Sequence, residues 1–204
     1  MTSRNKREER GVAVVELSLS MLFLIPLLLG VFIFGFKLIR SLEMTQIVRD
    51  IGHMYLRGID FRNPGPQSNA QTLASDFNLT SGGTSEILLS QIKIIQQTDC
   101  DAVNTLHIGV PCANLNKPVF LQLVKIGNTS SGTSAFGAPP LQTDSTVSAY
   151  DEVNTSGAVA VNFSSAMVLK AGEVAYVAEM INQTPDLNIP GLSGSPLVYA
   201  RCIF

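Results

Sequence analysis

The sequence predicts an α+β protein: a long N-terminal helix, apolar in its first half and amphipathic in its second, packed on a small antiparallel β-sheet. Three observations carry this. Leu17–Phe36 is an unbroken run of 20 uncharged, mostly apolar residues. The helical period then continues with one apolar side until Asn63-Pro64-Gly65-Pro66 stops it. Beyond that stop the apolar runs are short, rich in Ile and Val, and separated by Gly, Ser, Asn and Thr, as strands are.

The 204 residues allow one domain plus an extra element. The chain is 46% hydrophobic and 15% charged, with a mean hydropathy of +0.26. That composition excludes a chain disordered throughout. Fourteen basic residues against sixteen acidic ones give a net charge of −2, which does not suit a nucleic-acid reader with its basic face.

Residues 1–11 form a basic leader with Arg4, Lys6, Arg7 and Arg10. Glu16 is the sole ionisable side chain between Gly11 and Phe36. At about 1.5 Å per residue, the apolar run just spans a bilayer core of about 30 Å. It is longer than the core of a cleaved secretory signal, and Lys37 and Arg40 follow it in place of a small-residue cleavage site. The segment 12–36 is therefore expected to stay as a membrane helix in contact with lipid. The heavier basic run before it places the N-terminus in the cytoplasm and residues after about 40 outside. Glu16 admits two readings. It is an interfacial acid near the helix N-terminus, or it is there to meet a partner charge, since a carboxylate in an apolar segment is costly.

The pattern Gly11-Val-Ala-Val-Val-Glu16, between a basic leader and an apolar helix, resembles the processing site of type IV prepilins. More narrowly, RGVAVVELSLSMLFLIPLLLGVFIFGFKL is similar to the N-terminal segment of TadE-like proteins, pseudopilins of the tight-adherence (Flp, type IVc) pilus systems. AGEVAYVAEMINQTP and PLVYARCIF are similar to the end of that family. The resemblance implies a pilin-like fold and cleavage between Gly11 and Val12 by a membrane prepilin peptidase, which makes Glu16 the fifth mature residue. It also implies a bacterial inner-membrane subunit, later at the cell surface, whose partners are other major and minor pilins and the inner-membrane assembly platform. The spacing fits this physically. Cleavage creates an ammonium on Val12, and Glu16 lies one helical turn away. In a staggered bundle, Glu16 of one subunit can neutralise Val12 of its neighbour, and an unpaired buried charge is heavily penalised.

The amphipathic continuation covers 37–61. Met44, Ile47, Val48, Ile51, Met54 and Tyr55 follow i, i+3, i+4, i+7 spacing, and one helix is expected from about Val12 to about Ile59. Pro26 and Gly30 mark a soft point in its membrane half, because Pro removes a backbone hydrogen bond. In the head, 62–204, a short helix is expected near Gln67–Asn78. Strands are expected at Glu86–Gln97, Pro118–Ile126, Ala166–Leu169, Glu173–Ile181 and Leu197–Phe204. Residues 127–157 read as a long exposed loop with some local strand. With no helices expected between them, the strands should pair antiparallel and cover the amphipathic side of the helix.

Cys100, Cys112 and Cys202 lie in the part expected outside, where disulfides are permitted. Three pairings are possible. The favoured one is Cys100–Cys112, closing a small loop and leaving Cys202 in the sheet; the alternative is three buried thiols. Metal binding is disfavoured, since only His53 and His107 are available to complete a four-ligand set. No phosphate loop, dinucleotide fingerprint, zinc-helix motif or nucleophile elbow occurs, so neither cofactor nor catalysis is expected. Asn-x-Ser/Thr triplets at Asn78, Asn128, Asn154, Asn162 and Asn182 follow from composition. Few basic side chains follow the helix (Lys93, Lys117, Lys125, Lys170 and Arg201 among them), so no direct nucleic-acid contact is expected. The competing function is an unprocessed single-pass envelope protein with a periplasmic scaffold or binding domain. The mature N-terminus separates the two: Val12 for the first, Met1 for the second.

Overall fold

The computed structural model describes residues 5–106, 109, 111–130, 132–183 and 197–204, with side chains from Val12 onward. Residues 1–40 and 41–204 form two compact units.

Helix α1 runs unbroken from Asn5 to Leu56. It therefore starts inside the basic leader rather than at Val12. It also ends before Ile59, because Gly58 takes a left-handed backbone (φ 85°) that closes the last turn. The Gly58 N–H donates to Tyr55 O at 3.0 Å and the Ile59 N–H to Met54 O at 3.1 Å, the paired bonds of a Schellman cap. After the turn, Pro64–Leu73 forms α2, with prolines in its first turn where no N–H is needed.

Four strands follow: β1 (Ser85–Ile94), β2 (Pro118–Gly127), β3 (Val174–Gln183) and β4 (Leu197–Ile203). They form one sheet in the order β2-β1-β3-β4, antiparallel at every pairing. The stripe expected on α1 is the one that packs. Met44, Val48, Ile51 and Tyr55 are buried against Ile87, Leu89, Val124, Ile126, Ala178, Met180 and Ala200, with Ile47 and Met54 partly buried beside them. At about 25 cal/mol per Å² of apolar surface removed from water, burial of this size is the main force holding the sheet on the helix.

The opposite sheet face is covered too. Ile92, Phe120, Ala175 and Val177 bury against Phe136, Val147, Ala158, Ala160 and Phe163. Burial on both faces explains why β1 reads SEILLSQIKI without clean alternation.

Three expectations need correction. Ala166–Leu169 is no strand. Phe163–Ala166 is the short helix α5, and Met167 and Leu169 tuck singly against the second cluster. Helices do lie between strands: α3 (Gln97–Leu106) separates β1 from β2, and α4 (Ala149–Asn154) with a 3₁₀ turn interrupts the expected loop. The antiparallel sheet stands nonetheless, because these helices are too short to carry the chain back to a parallel start. The remainder of the loop lies partly along β2, through bridges Gln122–Thr146 and Val119–Val159, and shields that edge.

Candidate functional site

The segment with the greatest functional content is the first half of α1. Gly11, Val12 and Glu16 lie on one continuous helix, with Val12 and Glu16 one turn apart on the same side and both exposed. From Val12 to Phe32 the large apolar side chains all face outward, and Leu22, Phe23 and Leu27 are each 69% exposed. A helix on a protein surface hides one stripe and wets the other; this one is apolar on all sides, the condition of a helix made for lipid or for other helices. It is long and apolar enough to cross a membrane, and none of its most apolar 18 residues is buried. Pro26 sits inside it without ending it. At Gly30 and Gly35 an added Cβ would meet nothing within 4 Å, so no contact among the described residues requires either glycine. Ser18 turns its hydroxyl back to Val14 O at 2.8 Å, which hides the polar group inside the helix.

The cysteines sit as favoured. Cys100 on α3 and Cys112 form a disulfide across a Cα–Cα distance of 5.7 Å, and Cys202 is a half-buried free thiol on β4. The bridge ties α3 to a small cluster of Ile95, Val103, Val119 and Val153. His53 packs its ring on Phe204 at 4.7 Å between centroids. His107 lies outside the described residues.

Sequence reasoning missed two polar features of the head. On the outer sheet face, Glu86 and Glu179 are fully buried. Glu86 accepts the Gly132 N–H at 3.0 Å and pairs with Lys125 Nζ at 3.6 Å. Burial pushes its carboxyl above the ordinary range, and Lys125 partly offsets this. Glu179 accepts the Ala135 N–H at 3.0 Å and the Tyr199 hydroxyl at 2.5 Å. Their signal was an acid beside apolar residues in each of two predicted strands, Glu86 before Ile87-Leu88-Leu89 and Glu179 before Met180-Ile181.

The second feature is a polar cleft where α1 ends on the sheet. Two adjoining cavities of about 390 and 150 Å³ share Asp60 and Arg62 at their junction. The smaller is floored by Tyr55, Tyr176, Gln91 and Gln122. Arg62 clasps Asp60 in bidentate fashion, Nε to Oδ1 at 2.9 Å and Nη2 to Oδ2 at 3.0 Å, and approaches Asp144 at 3.9 Å. The arginine pulls the Asp60 carboxyl below its ordinary range. No family model, curated protein or solved structure matches this chain.

Proposed function

We propose that the chain is a TadE-like minor pilin or pseudopilin with a pilin-like fold. It is inserted in the bacterial inner membrane, cut by a prepilin peptidase between Gly11 and Val12, and built into or priming a tight-adherence or type IV-like filament. The observation that carries this reading is a single one. On one unbroken helix, the Gly11–Glu16 spacing leads directly into an apolar stretch that the chain itself does not bury. Such a surface needs lipid before assembly and other helices after it.

The mechanism is non-covalent. In the membrane the apolar residues of 12–36 face hydrocarbon. In the filament they face the same segments of other pilins, supplied through the assembly platform. Glu16 then meets the Val12 ammonium of a neighbour, and the pairing sets the axial register, because any other register leaves two charges unpaired in an apolar bundle. The head offers its surface to partner pilins or to an external target.

Intact-mass measurement of the protein made with and without a prepilin peptidase tests the reading. The expected mature form begins at Val12 and retains one free thiol. Glu16→Gln should still be cut but should fail to enter filaments. A working form that keeps Met1 would instead identify an unprocessed single-pass envelope protein.

A further inference from the structure

The cleft at the end of α1 breaks the rule of the interface it belongs to. On the helix-facing side of the β1–β2 ladder, successive cross-strand pairs are Ile87–Ile126, Leu89–Val124 and Gln91–Gln122. The first two are apolar and buried. The third is a pair of carboxamides at the position where the ladder bulges, between Gln91 and Ile92. Gln122 is only 9% exposed, it lines the smaller cavity, and among the described residues its side chain makes no hydrogen bond. The Tyr55 hydroxyl beside it is buried, with the Gln91 carboxamide as its polar neighbour. Burial without a partner costs a polar group on the order of 1–3 kcal/mol, and native proteins rarely accept it. Leucine at either Gln position would continue the apolar ladder. The polar groups are therefore explained by something that enters the cleft.

The chemistry of the walls selects the visitor. Both nitrogens and oxygens of the two carboxamides, and the hydroxyls of Tyr55 and Tyr176, offer donors and acceptors in equal measure without charge. Arg62 has its fork occupied by Asp60 and a second acid, Asp144, on its other side. Lys125 is committed to the buried Glu86. An anion would find no free cation here. Tyr55 and Tyr176 stand edge to face at 5.4 Å between centroids, adding aromatic surface. The outer cavity, about 390 Å³, is within the range of small-ligand sites of roughly 300–1,000 Å³, and the inner one, about 150 Å³, leaves room for a single ring-sized group; neither is an open sheet edge that a peptide strand would need.

We propose that this cleft binds a neutral saccharide, one sugar ring in the inner well on Gln91, Gln122 and the tyrosines, with a second unit reaching the outer cavity at Asp60 and Arg62. A sugar's hydroxyls each donate and accept, which matches a wall of neutral amides and phenols, and its C–H face suits a tyrosine ring. This is independent of whether the chain is cut at Gly11.

Saturation-transfer NMR on the full chain tests it, in lauryldimethylamine oxide micelles, whose headgroup carries no sugar. The probes are maltotriose, cellotriose and chitotriose, each titrated to about 10 mM, with triglycine and inorganic phosphate alongside. At least one trisaccharide should bind saturably. Gln122→Leu should weaken it about tenfold or more while unfolding no earlier than the parent protein, since an unpaired buried amide has been removed. Tyr55→Phe, which leaves the ring in place, should weaken it as well. Absence of saturable binding by all three sugars, equal binding by the Gln122→Leu protein, or preference for triglycine or phosphate would each overturn the proposal.

Discussion

Gly52 lies where the last residue of the chain closes onto α1, and substituting it tests the packing directly. An added Cβ would stand 2.3 Å from Cε2 and 2.9 Å from Cζ of Phe204, and 3.2 Å from the Ala178 Cβ. Phe204 cannot simply withdraw, because its N–H donates to Tyr176 O at 2.9 Å and its carbonyl accepts the Tyr176 N–H at 3.0 Å. Its ring must therefore rotate off the helix and lose its stack on His53. Overpacking of this kind costs about 1–3 kcal/mol. Replacing Gly by Ala inside a helix returns about 1 kcal/mol. Gly52→Ala is thus expected to lose about 0–2 kcal/mol net, by the difference of these terms. Phe204→Ala alone loses the ring's half-buried surface. In the double variant the clash is gone and the helix gain remains, so the two changes should couple by about 2 kcal/mol. The readout is urea unfolding of the full chain in micelles, followed by near-ultraviolet circular dichroism. With no tryptophan in the chain, the signal at about 275–280 nm comes chiefly from its four tyrosines, two of which, Tyr55 and Tyr176, adjoin this contact. A Gly52→Ala protein as stable as the parent, with no coupling to Phe204, would refute the reasoning.

Two further outcomes follow from the head. Replacing Cys100 and Cys112 together by Ala opens a loop with a sequence separation of 12, which by the chain-entropy model should lower stability by about 3 kcal/mol, read as a shift in urea midpoint. Glu152 has its pKa pushed up to about 7 by burial, with Lys93 opposing and Asp99 adding to the shift. The folded state then holds the proton more tightly than the unfolded one. Its contribution is present in full below the unfolded value of about 4.5 and is lost as the pH rises through about 7. After allowance for solvent screening the loss is about 1 kcal/mol. Glu152→Gln should gain relative stability of that size between pH 5 and 8 in paired unfolding curves; parallel curves would count against it.

The parts of the fold legible in the sequence are those written as a period or a stop. The stripe Met44–Val48–Ile51–Tyr55 is one such part, and four strands announced by Ile, Val and Leu runs are another. Ala166–Leu169 misled because a run of four apolar residues fits a strand or an isolated core contact equally, and only the available sheet edges decide. α3 stayed hidden because it buries just Cys100 and Val103 among polar residues. α4 was legible and overlooked. Ser148-Ala-Tyr-Asp151 is a capping box, and in the structure Ser148 Oγ accepts the Asp151 N–H at 3.1 Å and donates to its carboxylate at 2.6 Å. Gly58 likewise marked the end of α1 five residues before the Asn63-Pro64 stop. Of the candidate site, the Gly11–Glu16 spacing is a local motif and visible. The Gln91–Gln122 pair is not, since it exists only once the β1–β2 register is fixed.

The two faces of the sheet are held by different physics, and this explains why one was readable. Toward α1 the contacts are apolar side chains on both partners, so each half of the contact leaves a pattern in the sequence. On the outer face Glu86 and Glu179 instead grip backbone N–H groups of the covering loop, at Gly132 and Ala135, 46 and 44 residues away along the chain. A backbone amide belongs to every residue except proline, so the loop's half of the contact leaves no mark in its composition. The loop can then be rich in Gly, Ser and Thr, as residues 127–147 are, and still have one seat on the sheet. Each carboxylate also keeps one oxygen without a hydrogen bond, Oε2 of Glu179 and Oε1 of Glu86, the latter only in ion-pair range of Lys125 Nζ at 3.6 Å. These acids are therefore poor sources of net stability, since two largely desolvated charges offset most of what their bonds return. What they supply is position: a loop shifted by one residue would present a carbonyl or a side chain to a buried carboxylate, and both are worse than the N–H it now meets.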